Sequence, residues 1–178
     1  MPRAHPVRIP IMSPVSIMRR SVVCALATFL IATPAAVQAQ AHHANFTGTW
    51  VLDAGRSDSS PLVPAGVKYV ITDSAGRITL GREMTTGQGT ATGTLTFTTD
   101  GKPTTATLPS SAGPVEAITT SKWAGDTLVV KSAFAVSGTD VLQTDAWTLS
   151  PDGRSITLAR SVVAGGQPLG AKLVLVRQ

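Results

Sequence analysis

The chain has 178 residues, of which 15 are basic, 10 are acidic and one is cysteine, and its formal net charge is +5. Four of the basic residues are arginines within the first 20 positions, so residues 40–178 carry 11 basic and 10 acidic side chains. A basic face for nucleic acid is therefore not expected there. Because Cys24 precedes residue 40, disulfides and cysteine metal sites are excluded from residues 40–178.

Residues 1–39 are predicted to be an N-terminal extension and a secretory signal peptide. Arg19 and Arg20 precede an apolar run at 22–32 that is too short to span a bilayer as a helix, and the small residues around Ala39 are typical of a cleavage site. The arginine pair also resembles a twin-arginine signal, although Met18 before it favours general secretion. The sequence predicts a secreted or periplasmic protein without a transmembrane segment in its mature form.

Residues 40–45 are predicted to be a flexible mature N-terminus. Cleavage after Ala39 would leave a free amine with His42 at the third position, an arrangement that can bind Cu(II) or Ni(II) through a square-planar set of nitrogens. His42 and His43 are therefore the candidate metal ligands, and a disordered polar tail is the alternative. No cofactor is expected.

Residues 46–178 are predicted to form a single β-barrel domain. Threonine makes up 22 of the 139 residues after the leader, and β-branched side chains at this density favour strands. Gly, Pro and Asp clusters separate the segments. Strands are predicted, in chain order, at 46–53, 67–73, 77–84, 91–99, 104–108, 116–123, 127–136, 141–150, 154–163 and 171–177.

The predicted fold class is all-β, an antiparallel up-and-down meander of about 8–10 strands that closes into a barrel and so removes its exposed edges. No segment shows a sustained helical period. The longest irregular segment, residues 54–66, contains Pro61 and Pro64 and is expected to cross the barrel mouth.

The segment from Asn45 to Trp50 resembles the opening strand of lipocalins and fatty-acid-binding proteins, where an aromatic residue precedes a Gly-x-Trp motif. The resemblance implies structural roles for Gly48 and Trp50, because the Trp closes the narrow end of a barrel that holds an apolar ligand. The tetrapeptide at 144–147 is distantly similar to the lipocalin Thr-Asp-Tyr motif. The chain departs from these families in lacking a helix after the last strand or a helical lid after the first.

No catalytic residues are predicted. Nucleophilic catalysis needs a base beside a hydroxyl or thiol, and the histidines of this chain lie at positions 5, 42 and 43, outside the predicted barrel. The carboxylates of Glu83, Glu116, Asp140 and Asp145 show no paired spacing. An enzyme of unknown reaction is accordingly the third hypothesis.

Strand alternation predicts two arginines inside the barrel. If the turn at 73–76 pairs Ile71 with Ile78, then Tyr69 lies opposite Leu80, and Val67 lies opposite Arg82. Inward arginines need a carboxylate, a ligand anion or a wet barrel mouth. The alternative is that they reach solvent from strand ends, or that a shifted register reverses one face.

The same construction at the turn 151–153 pairs Trp147 with Ile156. It places Asp145 opposite Leu158 and diagonal to Arg160, with Gln143 opposite Arg160 and the arginine inside the barrel. The candidate ligand-binding residues are inward or aromatic: Tyr69, Arg82, Phe134, Gln143, Asp145, Trp147 and Arg160. For the aromatic residues, core packing is the alternative role.

The first functional hypothesis is an exported, non-enzymatic binding protein for a small apolar or anionic amphiphilic ligand. Fatty-acid-binding proteins, which the chain resembles, hold a ligand carboxylate with inward Arg and Tyr side chains. The second hypothesis is a barrel with a filled interior that binds or inhibits a protein partner through its outer surface.

Overall fold

The computed structural model describes residues 43–108 and 113–178, so the predicted leader and His42 lie outside the described residues. The predicted all-β meander is confirmed, with ten strands in one antiparallel sheet. The strands are β1 Gly48–Leu52, β2 Gly66–Ser74, β3 Arg77–Thr86, β4 Gly89–Thr98, β5 Thr104–Leu108, β6 Val115–Ala124, β7 Thr127–Val136, β8 Thr139–Leu149, β9 Ser155–Ala164 and β10 Gln167–Arg177. The described residues contain no helix that is long and apolar enough to cross a membrane.

Three of the hairpins turn within two residues that both have a positive φ. These turns are Ala75-Gly76 (φ 50° and 75°), Ser137-Gly138 (50° and 79°) and Gly165-Gly166 (60° and 88°). Such turns have the twist that joins neighbouring antiparallel strands without splaying them. The turn residues therefore set both the short connections and the register of the strands that they join.

The sheet curls so that its first and last strands meet. The spatial order is β4-β3-β2-β1-β10-β9-β8-β7-β6-β5, and Trp50 on β1 pairs with Arg177 on β10. The edge strands β4 and β5 are not hydrogen-bonded neighbours in the sheet, and the end of β4 contacts β6 instead. Asp100 forms an isolated bridge with Lys122, and the Ser121 hydroxyl donates to the Thr98 carbonyl at 2.8 Å. The result is a nearly closed barrel.

One end of the barrel, here called the closed end, is sealed by Trp50 and the chain segment before β1. Trp50 is fully buried, and its Nε1 donates to the Phe46 carbonyl at 2.8 Å. The Arg177 guanidinium lies 4.2 Å from the Trp50 ring centroid, and its Nη1 donates to the Thr47 carbonyl at 2.8 Å. Gly48, with φ 146°, lies against the same guanidinium. These contacts join the N-terminal segment to the last strand.

Aromatic rings continue from the closed end into the barrel. His43 stacks on Trp123 with ring centroids 4.4 Å apart, and Phe46 stacks on Trp123 at 5.7 Å. Phe46 also meets Trp147 edge to face, at 5.7 Å, and Trp147 in turn stacks on Tyr69 at 6.1 Å. This part of the interior is therefore filled by side chains.

The opposite end, here called the open end, is crossed by the segment between β1 and β2. The segment first follows the edge of β10 beyond β1, where Asp58 N donates to the Lys172 carbonyl at 2.9 Å and Val174 N donates to Ser57 Oγ at 2.9 Å. Leu62 and Val63 then pack against the buried core. This course agrees with the expectation that residues 54–66 cross the barrel mouth.

Candidate functional site

A buried ion pair lies in the barrel interior between β8 and β9. Arg160 donates from Nε to Asp145 Oδ1 at 2.8 Å and from Nη2 to Asp145 Oδ2 at 3.0 Å. Asp145 and Arg160 are only 6% and 8% exposed. Gln143 Nε2 donates to Asp145 Oδ2 at 2.8 Å. This bidentate geometry is the strong form of an arginine–carboxylate contact.

Arg160 also reaches the segment that crosses the open end, because its Nη1 donates to the Leu62 carbonyl at 3.4 Å. Burial alone would lower the pKa of Arg160, but the Asp145 carboxylate and the nearby Tyr69 side chain outweigh that effect and raise the pKa above its usual value. Arg160 is thus a permanent cation whose charge is already matched by a carboxylate.

Tyr69 is at the centre of the candidate site. On β2 it lies between Trp50 on β1 and Arg82 on β3 in register, and its ring stacks on Trp147. It is only 1% exposed, and it is also close enough to Arg160 to affect its pKa. Tyr69 therefore brings together residues that are far apart in the sequence.

Two buried donors beside Tyr69 have no acceptor among the described residues. These atoms are Nε of Arg82 and Nε1 of Trp147. Within residues 43–108 and 113–178, the hydrogen bond of the Arg82 side chain is to a weak acceptor, with its Nη2 3.2 Å from the Met84 sulfur. Leaving a buried donor without an acceptor costs about 1–3 kcal/mol, so each unsatisfied group in a folded protein needs an explanation.

The structure brings six of the seven predicted ligand-binding residues together around Tyr69. Phe134 is the exception. It is half-buried at the open end, where it pairs with Val141 and borders a depression of about 850 Å³ in the surface. Its position suits the rim of the barrel rather than the neighbourhood of the ion pair.

The expected register is wrong in both hairpins. In the first, Tyr69 pairs with Arg82 rather than Leu80, and Val67 pairs with Met84 rather than Arg82. The cause is the two-residue turn Ala75-Gly76, which keeps Ser74 and Arg77 paired. Since the shift is two residues, each side chain stays on its predicted face.

In the second hairpin, Trp147 pairs with Leu158 and not with Ile156. Asp145 is consequently directly opposite Arg160, not diagonal to it, and Gln143 pairs with Val162. The alternative in which Arg160 reaches solvent from a strand end is also wrong, because the side chain is buried and paired with Asp145.

Sequence reasoning missed a polar pair inside β6 and β7. Thr119 and Ser132 pair across the strands, both are buried, and their hydroxyl oxygens are 3.0 Å apart. Strand alternation could have identified them, since Thr119 shares a face with Ala117 and Ser121. These two hydroxyls share one hydrogen bond across the barrel wall.

Of the predicted metal ligands, only His43 lies within the described residues. His43 stacks on Trp123, whereas the other proposed ligands, at positions 40–42, lie outside the described residues. Among the residues that are described, no group of three or more His, Cys, Asp or Glu side chains could hold a metal ion. Copper or nickel binding by His42 and His43 stays a prediction.

The ten-stranded meander, with Trp50 at its closed end, defines a lipocalin-like, calycin-type barrel. No protein-family model and no curated protein sequence matches the chain.

Two solved structures are similar to this chain in fold. A fatty acid binding protein of Schistosoma mansoni in complex with arachidonic acid aligns over 75% of this chain and 96% of its own, with a TM-score of 0.45 and 16% identity. Secretory abundant heat soluble protein 4 from Ramazzottius varieornatus aligns over 75% and 95%, with a TM-score of 0.48 and 12% identity.

Proposed function

We propose that this chain is an exported, non-enzymatic binding protein that takes a small amphiphile with an anionic head group into its barrel. The observation that supports this most directly is the presence of two unsatisfied buried donors, Arg82 Nε and Trp147 Nε1, next to Tyr69. A carboxylate or a similar head group offers the acceptor oxygens that both donors need.

Arg82 is the arginine to which the head group binds. Arg160 is unsuitable, because Asp145 already matches its charge and accepts hydrogen bonds from its Nε and Nη2. Arg82 has no ion pair in the described part of the chain, and an anion is the partner that compensates a partly buried guanidinium. The proposed subsite thus consists of Arg82 and Trp147, with Tyr69 between them.

The tail of the amphiphile extends from this subsite towards the open end. The inward side chains one step nearer that end are apolar, namely Val67 and Met84 on one wall and Val162 and Leu169 on the other. Leu169 is 56% exposed, which is unusual for an inward residue and suits the entrance of an apolar passage.

Binding is favoured over catalysis by the state of the polar groups in the barrel. Asp145 is fixed by Arg160 and Gln143, and the hydroxyls of Thr119 and Ser132 bond to each other. A general base must be free to reach a proton on the substrate.

Export is proposed on the leader-like pattern of residues 1–39, and an N-terminus at or within two residues of Gln40 in the secreted protein would support it.

The decisive experiment is a titration with a fluorescent long-chain fatty carboxylate and with the matched fatty alcohol. The unmodified protein should bind the carboxylate more tightly than the matched alcohol. Arg82→Met should weaken carboxylate binding by about 1.5–3 kcal/mol, as expected for a lost hydrogen bond to a charged group, and should leave alcohol binding unchanged. Trp147→Phe should also weaken carboxylate binding, because it removes the Nε1 donor while keeping an aromatic ring at this position.

Arg77→Met is the matched control, because Arg77 is on the same strand but exposed on the outer face. It should leave both titrations unchanged. A flat carboxylate titration of the unmodified protein, well above micromolar concentration, would contradict the proposal. It would favour the second candidate, a barrel with a filled interior that acts through its outer surface, which the aromatic packing of the closed end also suits.

A further inference from the structure

A row of apolar side chains crosses the outer face of four neighbouring strands. Ile118 on β6 pairs with Ala133 on β7, which pairs with Leu142 on β8, which pairs with Val163 on β9. Ile118 and Leu142 are 58% and 45% exposed. Single exposed apolar residues are ordinary on a protein surface, but a contiguous row indicates a contact surface. We call these four residues the outer apolar row.

The surface beside this row is recessed. Ala133, Leu142 and Val163 form part of the lining of the depression of about 850 Å³ described above, which is open to solvent. Small side chains such as Ala133 allow another backbone or side chain to approach closely. The row therefore offers both an apolar surface and room for a complementary side chain.

Charges of opposite sign flank the outer apolar row on its two sides. Glu116 and Asp140 lie two residues nearer the open end, on β6 and β8, and Lys131 lies two residues nearer the closed end, on β7. All three side chains are exposed, and none forms an ion pair within the part of the chain that the structure describes.

We propose that the outer apolar row is the interface of a symmetric dimer with a second copy of this chain. A two-fold axis along the row exchanges its open-end side with its closed-end side. Lys131 of one protomer then lies between Glu116 and Asp140 of its partner, because β7 runs between β6 and β8. The symmetry repeats this contact, so the surface complements itself in both shape and charge.

The arrangement of charges selects this occupant over others. An anionic membrane would favour a uniformly basic border, whereas here one border is acidic and the other basic. A two-fold axis across the row would leave each border on its own side, so Lys131 would not meet Glu116 or Asp140 of the partner, and that axis is disfavoured. Four strands give a small interface, so the dimer is weak and concentration-dependent. This surface is outside the barrel and independent of the ligand proposed above.

Sedimentation equilibrium of protein produced from the full-length coding sequence tests the proposal. The unmodified protein should show reversible dimerisation, and Leu142→Lys should weaken it by at least about tenfold. Val70→Lys is the matched control, because Val70 is 50% exposed on the outer face of β2, away from the row, and it should leave dimerisation unchanged. Circular dichroism checks that every variant retains its strands.

A charge exchange tests the axis itself. Lys131→Glu should abolish dimerisation through repulsion with Glu116 and Asp140 of the partner. Adding Glu116→Lys and Asp140→Lys to that variant should restore dimerisation to within about threefold of the original dissociation constant. A protein that stays monomeric up to millimolar concentration would overturn the proposal, and so would a dimer that tolerates Leu142→Lys or is not restored by the exchange.

Discussion

Asp145 and Arg160 lie directly opposite each other on β8 and β9 and share two hydrogen bonds, of 2.8 Å and 3.0 Å, inside the barrel. Charges removed from water are costly unless they are matched in this way. The pair makes its part of the interior electrically neutral, which distinguishes Arg160 from Arg82, whose Nε has no acceptor among the described residues.

Removing one partner of this pair should destabilise the protein. We expect Arg160→Met to lower the free energy of unfolding by about 3–5 kcal/mol, because it leaves the Asp145 carboxylate buried without its cation. This differs from the result expected for an arginine that meets only a ligand, whose removal would leave stability unchanged or improved. Urea unfolding of the ligand-free protein measures the change.

The double variant Arg160→Met with Asp145→Leu is the control for that measurement. Replacing a whole buried ion pair by apolar side chains is often neutral or stabilising, so the double variant should recover most of the lost stability. If Arg160→Met alone unfolds like the unmodified protein, the ion pair does not contribute as described.

Trp50 should be a stability residue. We expect Trp50→Ala to lower the free energy of unfolding by about 3–5 kcal/mol, as large aromatic truncations in protein cores do. Trp50→Phe should cost less, since it keeps much of the packing and loses chiefly the hydrogen bond to the Phe46 carbonyl. Unchanged unfolding of Trp50→Ala together with lost probe binding would assign Trp50 to the ligand instead.

The fold could be predicted from the sequence because strands and turns are local features. All ten strands were expected, and the predicted bounds of β5 and β7 are the observed ones. The largest error is at β10, which begins at Gln167 and not near residue 171. The turn Gly165-Gly166 brings the chain back into the sheet at once, so Pro168 and Gly170 lie within the strand.

The candidate site could be predicted only in part, because register depends on how each turn closes. Alternation correctly placed Arg82 and Arg160 on the inward face, since an error of two residues does not change the face. The same error hid the direct pairing of Asp145 with Arg160. The contact of Tyr69 with Trp147 joins β2 to β8, and no local pattern reports which distant strands a barrel brings together.

Two turn carboxylates should titrate at unusually low pH. Hydrogen bonds from Thr98 and Lys102 to Asp100 lower the pKa of Asp100 well below 3.8, and hydrogen bonds from Ser150 and Arg154 N to Asp152 lower its pKa in the same direction. Carboxylates with a lowered pKa stabilise the folded state fully above the unfolded pKa, and this contribution is lost as the pH falls through the folded pKa.

Carbon-13 NMR titration of the carboxyl groups should therefore place both midpoints below 3.8. Asp100→Asn should make stability depend less on pH below about 4. The expected effect is small, because both side chains are at the surface. An Asp100 midpoint at or above 3.8 would mean that the Thr98 and Lys102 contacts do not persist in solution.

Gly48 and Arg177 should be energetically coupled at the closed end. Gly48 has a φ of 146°, and a Cβ there would collide with the Arg177 guanidinium, which lies over Trp50. Gly48→Ala should cost about 1–3 kcal/mol from backbone strain and the displaced guanidinium. In an Arg177→Ala background only the backbone strain remains, so the same change should cost less. A double-mutant cycle by urea unfolding should give a coupling of at least about 0.5 kcal/mol. Additive costs would show that the guanidinium moves aside freely when Gly48 is replaced.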